Sequence, residues 1–359
     1  MEEYHKALCN EIRHFVRDRP QVKTHPIQTI FLGGGTPSLY PPHLLKQLFA
    51  LLHEEFNLSN VEEISLEVNP GGQTEETFQA WKECGITRLS VGVQVLDEEI
   101  LKKFKRFQAD RDVNGFFAQA PRYFSNMSAD MIIGLPGVTQ EVWKRTIETA
   151  LTWPIQHFSL YFLTVHEHTP LYYGVKKGAI TLPKDEQVIA QYEWTIDVLE
   201  RAGFAQYEIS NFARRGYESR HNAGYWQRKS YKGFGLGAAS YDGKYRFSNI
   251  KKLGTFLSLF SSVPVQTSCP YATHEQLSQE NILLEMVMLG LRQREGVSLR
   301  DLHHYMSDAQ QQAFLMKIAE MKDEGFVDFD SKNAWLTRHG ILYENEVVAR
   351  LCHALDASG

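Results

Sequence analysis

Five short apolar segments alternate with helical stretches, and this alternation constrains the fold of the chain most strongly. The segments are rich in β-branched or large apolar residues and are bounded by Gly, Pro or Asn, as expected of buried strands. They recur about every 25–40 residues, which is the spacing of repeated βα units on a parallel sheet. The predicted strands cover residues 29–32, 63–68, 88–93, 129–133 and 157–163.

The predicted helices between these strands carry start and stop signals. Thr74 is an N-cap residue, and Gly85 follows the same helix where a left-handed C-terminal residue belongs. Apolar residues repeat at helical spacing from Leu96 to Phe107. Further helices are predicted over residues 2–17, 41–53, 140–151 and 184–202.

A partial parallel β/α barrel is the architecture that this order favours, and a doubly wound open sheet is the alternative. Chemistry in a barrel collects at the C-terminal ends of the strands. The unusual segments stand there: 33–37, 67–70, 92–94, and Asp130 with 134–137. The helix over 2–17 has no strand before it. We therefore expect either an open sheet edge or a first strand upstream of Met1.

The last part of the chain has a different pattern. After Pro270, helices, two short strands and a final helix over about 338–355 follow in the order of a winged-helix-like domain. This region is mixed in charge, which favours a structural or partner role over DNA recognition. The sequence thus predicts a barrel at 1–205, an aromatic and glycine-rich extension at 206–270, and a winged-helix-like domain at 271–359.

Composition excludes several classes of protein. The 359 residues include 38 Lys and Arg against 43 Asp and Glu, a formal net charge of −5, which argues against a general nucleic-acid binder. No uncharged apolar run approaches the ~20 residues of a membrane helix. The start Met1-Glu-Glu-Tyr does not resemble a signal peptide. We expect a cytoplasmic protein.

Polar residues lie at or near the ends of several predicted strands. Consecutive glycines at Gly33 to Gly35 let the backbone approach a ligand, although the segment matches neither phosphate-binding glycine motif. Carboxylates at strand ends accept from ribose hydroxyl or ammonium groups, Gln94 can both donate and accept, and Arg106 can pair with a carboxylate. Singly, each could be a solvated residue. As a set, they suit a zwitterionic small molecule that carries a ribose.

A second candidate site lies at His221-Asn-Ala-Gly-Tyr-Trp226. Histidine is a common axial ligand of haem iron, and flat aromatic rings pack against a porphyrin. A core histidine near a turn is the alternative interpretation.

Taken together, these motifs resemble a known family. Gly33-Gly-Gly-Thr-Pro37, Glu67-Val-Asn-Pro70, Leu89-Ser-Val-Gly-Val-Gln94, Arg106 and Asp130-Met-Ile-Ile-Gly-Leu-Pro136 are similar, in order and spacing, to the radical SAM proteins related to oxygen-independent coproporphyrinogen III oxidase. Within that group, His221-Asn-xx-Tyr-Trp226 resembles the HNxxYW signature of the HemW-type haem chaperones.

The resemblance implies a function, ligands and partners. It implies a haem chaperone that binds haem and passes it to acceptor apoproteins, on a partial β/α barrel with a winged-helix-like C-terminal domain. The residues implied to contact S-adenosylmethionine are Gly34, Gly35, Thr36, Glu67, Gln94, Arg106 and Asp130. The residues implied to form the haem motif are His221, Asn222, Tyr225 and Trp226, with His221 as the candidate iron ligand.

One family feature is missing from the sequence. Family members hold a [4Fe–4S] cluster through CxxxCxxC after the first strand, whereas Cys9, Cys84, Cys269 and Cys352 are far apart. We expect that segment to lie upstream of Met1, and no radical chemistry by this chain as given. Arg106-Phe-Gln108 resembles the oxidase branch, so coproporphyrinogen III oxidation stays an alternative function. A cluster-free binding protein on the same scaffold is another.

Overall fold

The computed structural model describes residues 1–106, 108–261 and 271–356. The chain divides into two compact units. The first, which we name the sheet unit, comprises Gln28–Lys46 and Val61–Glu218. The other, the mixed unit, comprises Met1–Ile27, Gln47–Asn60 and Ser219–Gly359. The three domains predicted from the sequence have different bounds, and that division of the chain stays a prediction.

The described residues form helices and strands that we number in chain order. The helices are α1 Glu2–Asp18, α2 Pro42–Glu55, α3 Glu75–Glu83, α4 Glu98–Lys103, α5 Asp110–Gln119, α6 Gln140–Ala150, α7 Pro170–Lys176, α8 Asp185–Arg201, α9 Arg220–Trp226, α10 Leu253–Leu259, α11 Gln279–Gly290, α12 Leu299–His303, α13 Asp308–Asp323, α14 Arg338–Ile341 and α15 Glu344–Asp356. The strands are β1 Thr29–Leu32, β2 Glu63–Val68, β3 Arg88–Gln94, β4 Asn126–Ile133, β5 His157–Phe162, β6 Ala205–Glu208, β7 Asn211–Ala213, β8 Ala239–Tyr241, β9 Tyr245–Asn249, β10 Tyr271–Gln276, β11 Val297–Ser298, β12 Val327–Phe329 and β13 Asn333–Leu336.

A seven-stranded sheet organises the sheet unit. Its order is β1-β2-β3-β4-β5-β7-β6, with β1 to β5 parallel and adjacent in chain order, and β7 and β6 antiparallel. A doubly wound sheet reverses its strand order at a switch point. The first five strands show no reversal, so the predicted β/α architecture is confirmed and the doubly wound alternative is wrong. Within the described residues, β1 pairs only with β2.

Burial on both faces explains why the central strands are apolar nearly throughout. Leu66 and Leu89 have no exposed surface. On α6, the Trp143 ring is also fully buried, and its Nε1 donates to Thr195 Oγ1 on α8 at 2.8 Å. Truncation of such a buried aromatic typically costs about 3–5 kcal/mol. The core therefore holds the strand ends in fixed register.

The helix predicted from Leu96 to Phe107 is shorter in the structure. Asp97 caps α4 by accepting from the N–H of Ile100 at 3.0 Å. The chain leaves the helix after Lys103 and takes a left-handed conformation at Lys105, with φ of 58°. Phe107 lies outside the described residues, and α5 begins at Asp110, where the sequence analysis assigned no helix.

In the mixed unit, α1 packs its apolar face on residues from later in the chain. Leu8 and Ile12 share a buried cluster with Leu48 and Leu51, and Ala7 packs with Phe256. A three-stranded antiparallel sheet of order β10-β9-β8 lies in the same unit.

The C-terminal elements of the mixed unit follow the predicted winged-helix order. Helices α11 to α13 precede the β12–β13 hairpin, which pairs with β11 in the order β11-β13-β12. The predicted final helix is two helices, because the Tyr343 N–H donates to the carbonyl of Gly340 at 3.0 Å and so closes α14 with an i+3 bond. Among the described residues, every helix is too short or too polar to serve as a membrane span.

Candidate functional site

The glycine bend after β1 brings a backbone donor to a carboxylate. Gly34 and Gly35 have φ of 77° and 68°, which glycine adopts without strain. The Gly34 N–H donates to Glu67 Oε2, on β2, at 2.9 Å. Among the described residues, no atom beyond the bend lies within 4 Å of the position of a Cβ on either glycine. The bend therefore presents bare backbone to open space.

Two carboxyl groups influence each other at the strand ends. Asp130 on β4 accepts from Ser90 Oγ at 2.6 Å and from Ser128 Oγ at 2.8 Å. Burial raises the pKa of Glu67, the Gly34 amide opposes that rise, and the Asp130 carboxylate raises the pKa further. A pair of partly buried carboxyl groups favours a cationic ligand group, such as an ammonium or sulfonium.

Gln94 presents an acceptor that has no donor. It ends β3 with φ of 62°, and its Oε1 is buried without a hydrogen-bond partner in the described part of the chain. Its amide lies over Gly92, because a Cβ at Gly92 would be 3.0 Å from Gln94 Nε2 and 3.4 Å from Asn69 Oδ1. Leaving a buried acceptor unpaired costs about 1–3 kcal/mol, so a ligand that donates here would recover that free energy.

Asn69 links the end of β2 to the segment after the glycine bend. Its backbone N–H donates to Ser38 Oγ at 3.2 Å, and its Nδ2 lies 3.5 Å from Thr36 Oγ1. Thr36 is thus held at the same strand ends as Glu67. Asn69 was not among the predicted site residues.

The structure does not bring Arg106 into contact with the three strand-end side chains. Its guanidinium is partly buried, which lowers its pKa, and within the described residues it forms no ion pair. Nearby, Gln108 Nε2 donates to the carbonyl oxygens of Gly92 at 3.2 Å and Val93 at 2.9 Å. Gln108 therefore fixes the loop after α4 against the end of β3.

Sequence reasoning missed the serines that orient Asp130. Ser90 and Ser128 are register partners on β3 and β4, and Ser128 also lies 2.9 Å from Nδ1 of the buried His157. The signal was present in the sequence. Ser128 precedes Asp130 by two residues, and strand side chains two apart share one face.

The HNxxYW segment forms the short helix α9. Ser219 Oγ caps this helix by accepting from the backbone N–H of Asn222 at 3.3 Å. His221 and Tyr225 are four residues apart and therefore share one face. Tyr225 Oη lies 2.9 Å from His221 Nε2, and their rings meet edge to face with centroids 4.8 Å apart.

The environment of Tyr225 keeps its hydroxyl protonated. Burial raises the pKa of Tyr225 to about 12, with a smaller contribution from Tyr231. The ring of Tyr231 packs edge-on against it at 4.7 Å between centroids. At neutral pH the phenol can thus donate to His221 Nε2, so iron must displace this contact to bind at that atom.

Trp226 has different surroundings from Tyr225. The guanidinium of Arg292 lies 5.1 Å from the Trp226 ring centroid, and Arg292 Nη1 is 3.4 Å from Glu344 Oε1. The Trp226 Nε1 is buried and, among the described residues, has no hydrogen-bond partner. The two aromatic residues of the motif therefore do not form one continuous platform beside the histidine.

The cysteines do not fit an iron–sulfur cluster. Cys9 lies in α1, Cys84 follows α3, Cys352 lies in α15, and Cys269 is outside the described residues. Burial raises the pKa of the three described thiols, that of Cys84 to about 11. Cluster ligands are thiolates. Within the described ranges, no group of three or more His, Cys, Asp or Glu side chains could hold a metal ion.

Comparison with known proteins agrees with the strand order and with the C-terminal elements. Residues 9–150 match the Radical SAM superfamily, and residues 277–343 match the HemN C-terminal domain. The structure superposes on coproporphyrinogen III oxidase (HemN) from Escherichia coli with a TM-score of 0.81, covering 99% of this chain and 83% of that one. At 22% identity this match establishes the fold alone.

Other proteins share a higher sequence identity with this chain than HemN does, and they have a different name. The chain is 34% identical to the heme chaperone HemW of Bacillus subtilis over 350 residues, which cover 97% of this chain and 90% of the relative. It is 31% identical to the heme chaperone HemW of Synechocystis, covering 99% of this chain and 88% of the relative. The chain therefore belongs to the HemW family of heme chaperones, within the radical SAM superfamily.

Proposed function

We propose that this chain binds haem at α9 and passes it to acceptor apoproteins, with His221 as the iron ligand. The observation that carries this proposal is the pairing of His221 with Tyr225, 2.9 Å apart on one face of the helix. The names of the relatives support the same function. The cytoplasmic location stays a prediction.

The pairing suits reversible rather than permanent binding. A neutral imidazole nitrogen is a good ligand for haem iron. In the free protein the Tyr225 hydroxyl is hydrogen-bonded to that nitrogen, and the hydrogen bond can form again when haem leaves. Exchange between the two partners lowers the barrier to release, as a carrier requires.

We further propose that the strand ends of the sheet unit bind S-adenosylmethionine, which would bring a sulfonium, an amino acid and a ribose. The carboxyl groups of Glu67 and Asp130 would attract its cationic groups, and Gln94 Oε1 would accept from one of its donors. Arg106 would pair with its carboxylate. Gly34, Gly35 and Thr36 would contact it through the open bend.

A binding function is favoured over the oxidase alternative. Radical cleavage of S-adenosylmethionine needs a reduced cluster, and the cysteines of this chain do not fit one. The residues at the strand ends can hold the ligand without any cluster, since their contacts come from carboxyl, amide and backbone groups.

Haem titration of the full chain, followed by absorption spectroscopy, tests the chaperone proposal. We expect His221→Ala to weaken haem binding at least tenfold and to shift the Soret band. His353→Ala, which removes an exposed histidine from α15 in the same unit, is the matched control and should bind as the wild type does. Equal affinity of the wild type and His221→Ala would refute the assignment.

A further inference from the structure

A buried ion pair in the mixed unit joins Glu11 of α1 to Lys232, which follows the HNxxYW helix by six residues, and is not used by the proposed function. Lys232 Nζ stands 3.6 Å from Glu11 Oε1, and the side chains are only 15% and 5% exposed. The carboxylate is held in place by other donors. The Gly235 N–H donates to Oε2 at 2.7 Å, and Asn249 Nδ2 donates to Oε1 at 2.6 Å.

Aromatic rings surround the amine. The Lys232 Nζ lies 4.4 Å from the ring centroid of Phe234, 5.5 Å from that of Phe15, 5.7 Å from that of Tyr271 and 5.8 Å from that of Phe247. Ring faces attract a cation, but they compensate for only part of the hydration that an ammonium group loses on burial. The amine is therefore held tightly in a place that disfavours its charged form.

A cavity gives access to this amine. It has a volume of about 210 Å³ and is lined by Lys232, Glu11, His14, Arg19 and Tyr271, together with Asp18 and two phenylalanines. At ~30 Å³ of liquid volume per water molecule, it has room for a ligand of a few heavy atoms. Arg19 and His14 add basic groups to the lining, while Asp18 lies 3.5 Å from His14 Nε2.

From this geometry we infer a covalent binding site: Lys232 is a nucleophilic amine that forms an imine with a small carbonyl compound entering the cavity. The inference is independent of haem binding.

The electrostatics of the cavity support this assignment. Burial lowers the pKa of Lys232 to about 8, although Glu11 opposes the shift. An ordinary lysine has a pKa near ~10.4, so under 1% of it is neutral at pH 8. About half of the Lys232 amine is neutral at that pH, and only the neutral amine is nucleophilic. Burial also lowers the pKa of His14, so that ring adds little positive charge near pH 8.

The reaction balances without an oxidant or a reductant. The lone pair of Nζ attacks the carbonyl carbon, and a proton moves from nitrogen to oxygen to give a carbinolamine. The hydroxyl then leaves as water while the C=N bond forms. Once protonated, the imine carries the charge of the ammonium that it replaces, so Glu11 keeps a cationic partner.

Reductive trapping on the full chain tests the inference. The protein is incubated at pH 8 with glyoxylate or with propanal in the presence of sodium cyanoborohydride, and the modified lysines are quantified by peptide mass spectrometry. We expect Lys232 to react at least tenfold faster than the exposed Lys177 and Lys252, with a rate that rises through a midpoint near pH 8. A faster reaction with glyoxylate would identify a carboxylated substrate read by Arg19, and equal rates an uncharged one.

The comparison between lysines of one molecule does not depend on any variant. Lys232→Arg serves as the control, because it should lose the trapped product at this position while keeping haem affinity. Labelling of Lys232 no faster than that of Lys177 and Lys252 would overturn the inference and leave the lysine a structural partner of Glu11.

Discussion

The Tyr225 hydroxyl and His221 Nε2 lie 2.9 Å apart on one face of α9. This contact sets the tautomer of the candidate iron ligand and also engages the nitrogen that would bind iron. When the phenol donates to Nε2, the ring proton of His221 resides on Nδ1. That tautomer is also the one that binds a metal through Nε2. Tyr225 therefore selects the competent tautomer and at the same time competes with iron for it.

This competition predicts tighter haem binding by Tyr225→Phe. The substitution removes the hydroxyl and keeps the ring that packs on Tyr231. A hydrogen bond of this kind is worth about 0.5–1.5 kcal/mol, so haem affinity should rise roughly 2- to 12-fold. Absorption titration measures the change, and Tyr343→Phe, at an exposed position of the same unit, should have no effect. A tenfold fall in affinity would instead mean that the hydroxyl itself contacts haem.

The strands could be predicted because hydrophobic periodicity and residue composition are local properties of the sequence. The predicted β1 and β2 coincide with the observed strands, and β3 to β5 differ by a few residues at their ends. Buried parallel strands are apolar on both faces and leave a plain signal. The short helices α5 and α7 were not predicted. In α5 the apolar residues Val113, Phe116 and Phe117 repeat at helical spacing and are buried, whereas α7 has no buried residue.

The residues of the candidate site could be predicted from the sequence better than the contacts between them. Glu67, Gln94 and Asp130 lie at or near the ends of predicted strands, and strand ends of parallel units meet at one edge. Which groups satisfy them could not be read from the sequence, because the Ser90 hydroxyl reaches Asp130 across 40 positions of chain. The left-handed φ of Gln94, uncommon for a residue with a side chain, also had no local signal.

Glu67 should contribute charge to S-adenosylmethionine binding. Glu67→Gln keeps an acceptor for the Gly34 N–H and removes the negative charge. Because charge-assisted contacts are worth about 1.5–3 kcal/mol, affinity should fall roughly tenfold or more in isothermal titration calorimetry. Glu76→Gln, on the exposed face of α3, is the control. No loss of affinity in Glu67→Gln would remove Glu67 from the site.

The same carboxyl group predicts a pH dependence. The pKa of Glu67 is raised, chiefly by burial, so it loses its charge at a higher pH than an ordinary glutamate, near ~4.3. Affinity for S-adenosylmethionine should be full above the raised pKa and fall as pH drops through it. Glu67→Gln should lack this part of the pH profile, and an identical profile in both proteins would contradict the role.

Gln94→Met should separate stability from binding. Methionine has a similar volume and removes the buried Oε1 that lacks a donor, so the free energy of unfolding should stay equal or rise by up to ~1 kcal/mol. Affinity for S-adenosylmethionine should fall at the same time. Gln108→Met offers the contrast, because it removes the side-chain donor of the Gly92 and Val93 carbonyls, of which Val93 keeps the Val95 N–H, and should lower stability by about 1–2 kcal/mol. Urea unfolding and calorimetry measure the two effects, and a destabilised Gln94→Met would show that the amide is structural.

The ion pair of Glu11 and Lys232 predicts a pH-dependent cost of losing one partner. Glu11→Gln leaves the buried ammonium without its counter-charge, a change that costs up to about 3–5 kcal/mol when the charge cannot be lost. Lys232 can lose it, because burial already lowers its pKa to about 8 and removal of Glu11 lowers the pKa further. At pH values between the pKa of Lys232 in Glu11→Gln and pH 8, the folded variant binds fewer protons than the folded wild type. The loss of unfolding free energy caused by the substitution should therefore shrink as pH rises and level off above pH 8. In Lys232→Met the additional cost of Glu11→Gln should be smaller and independent of pH in this range, whereas an equal cost in both backgrounds would show that the two side chains do not interact.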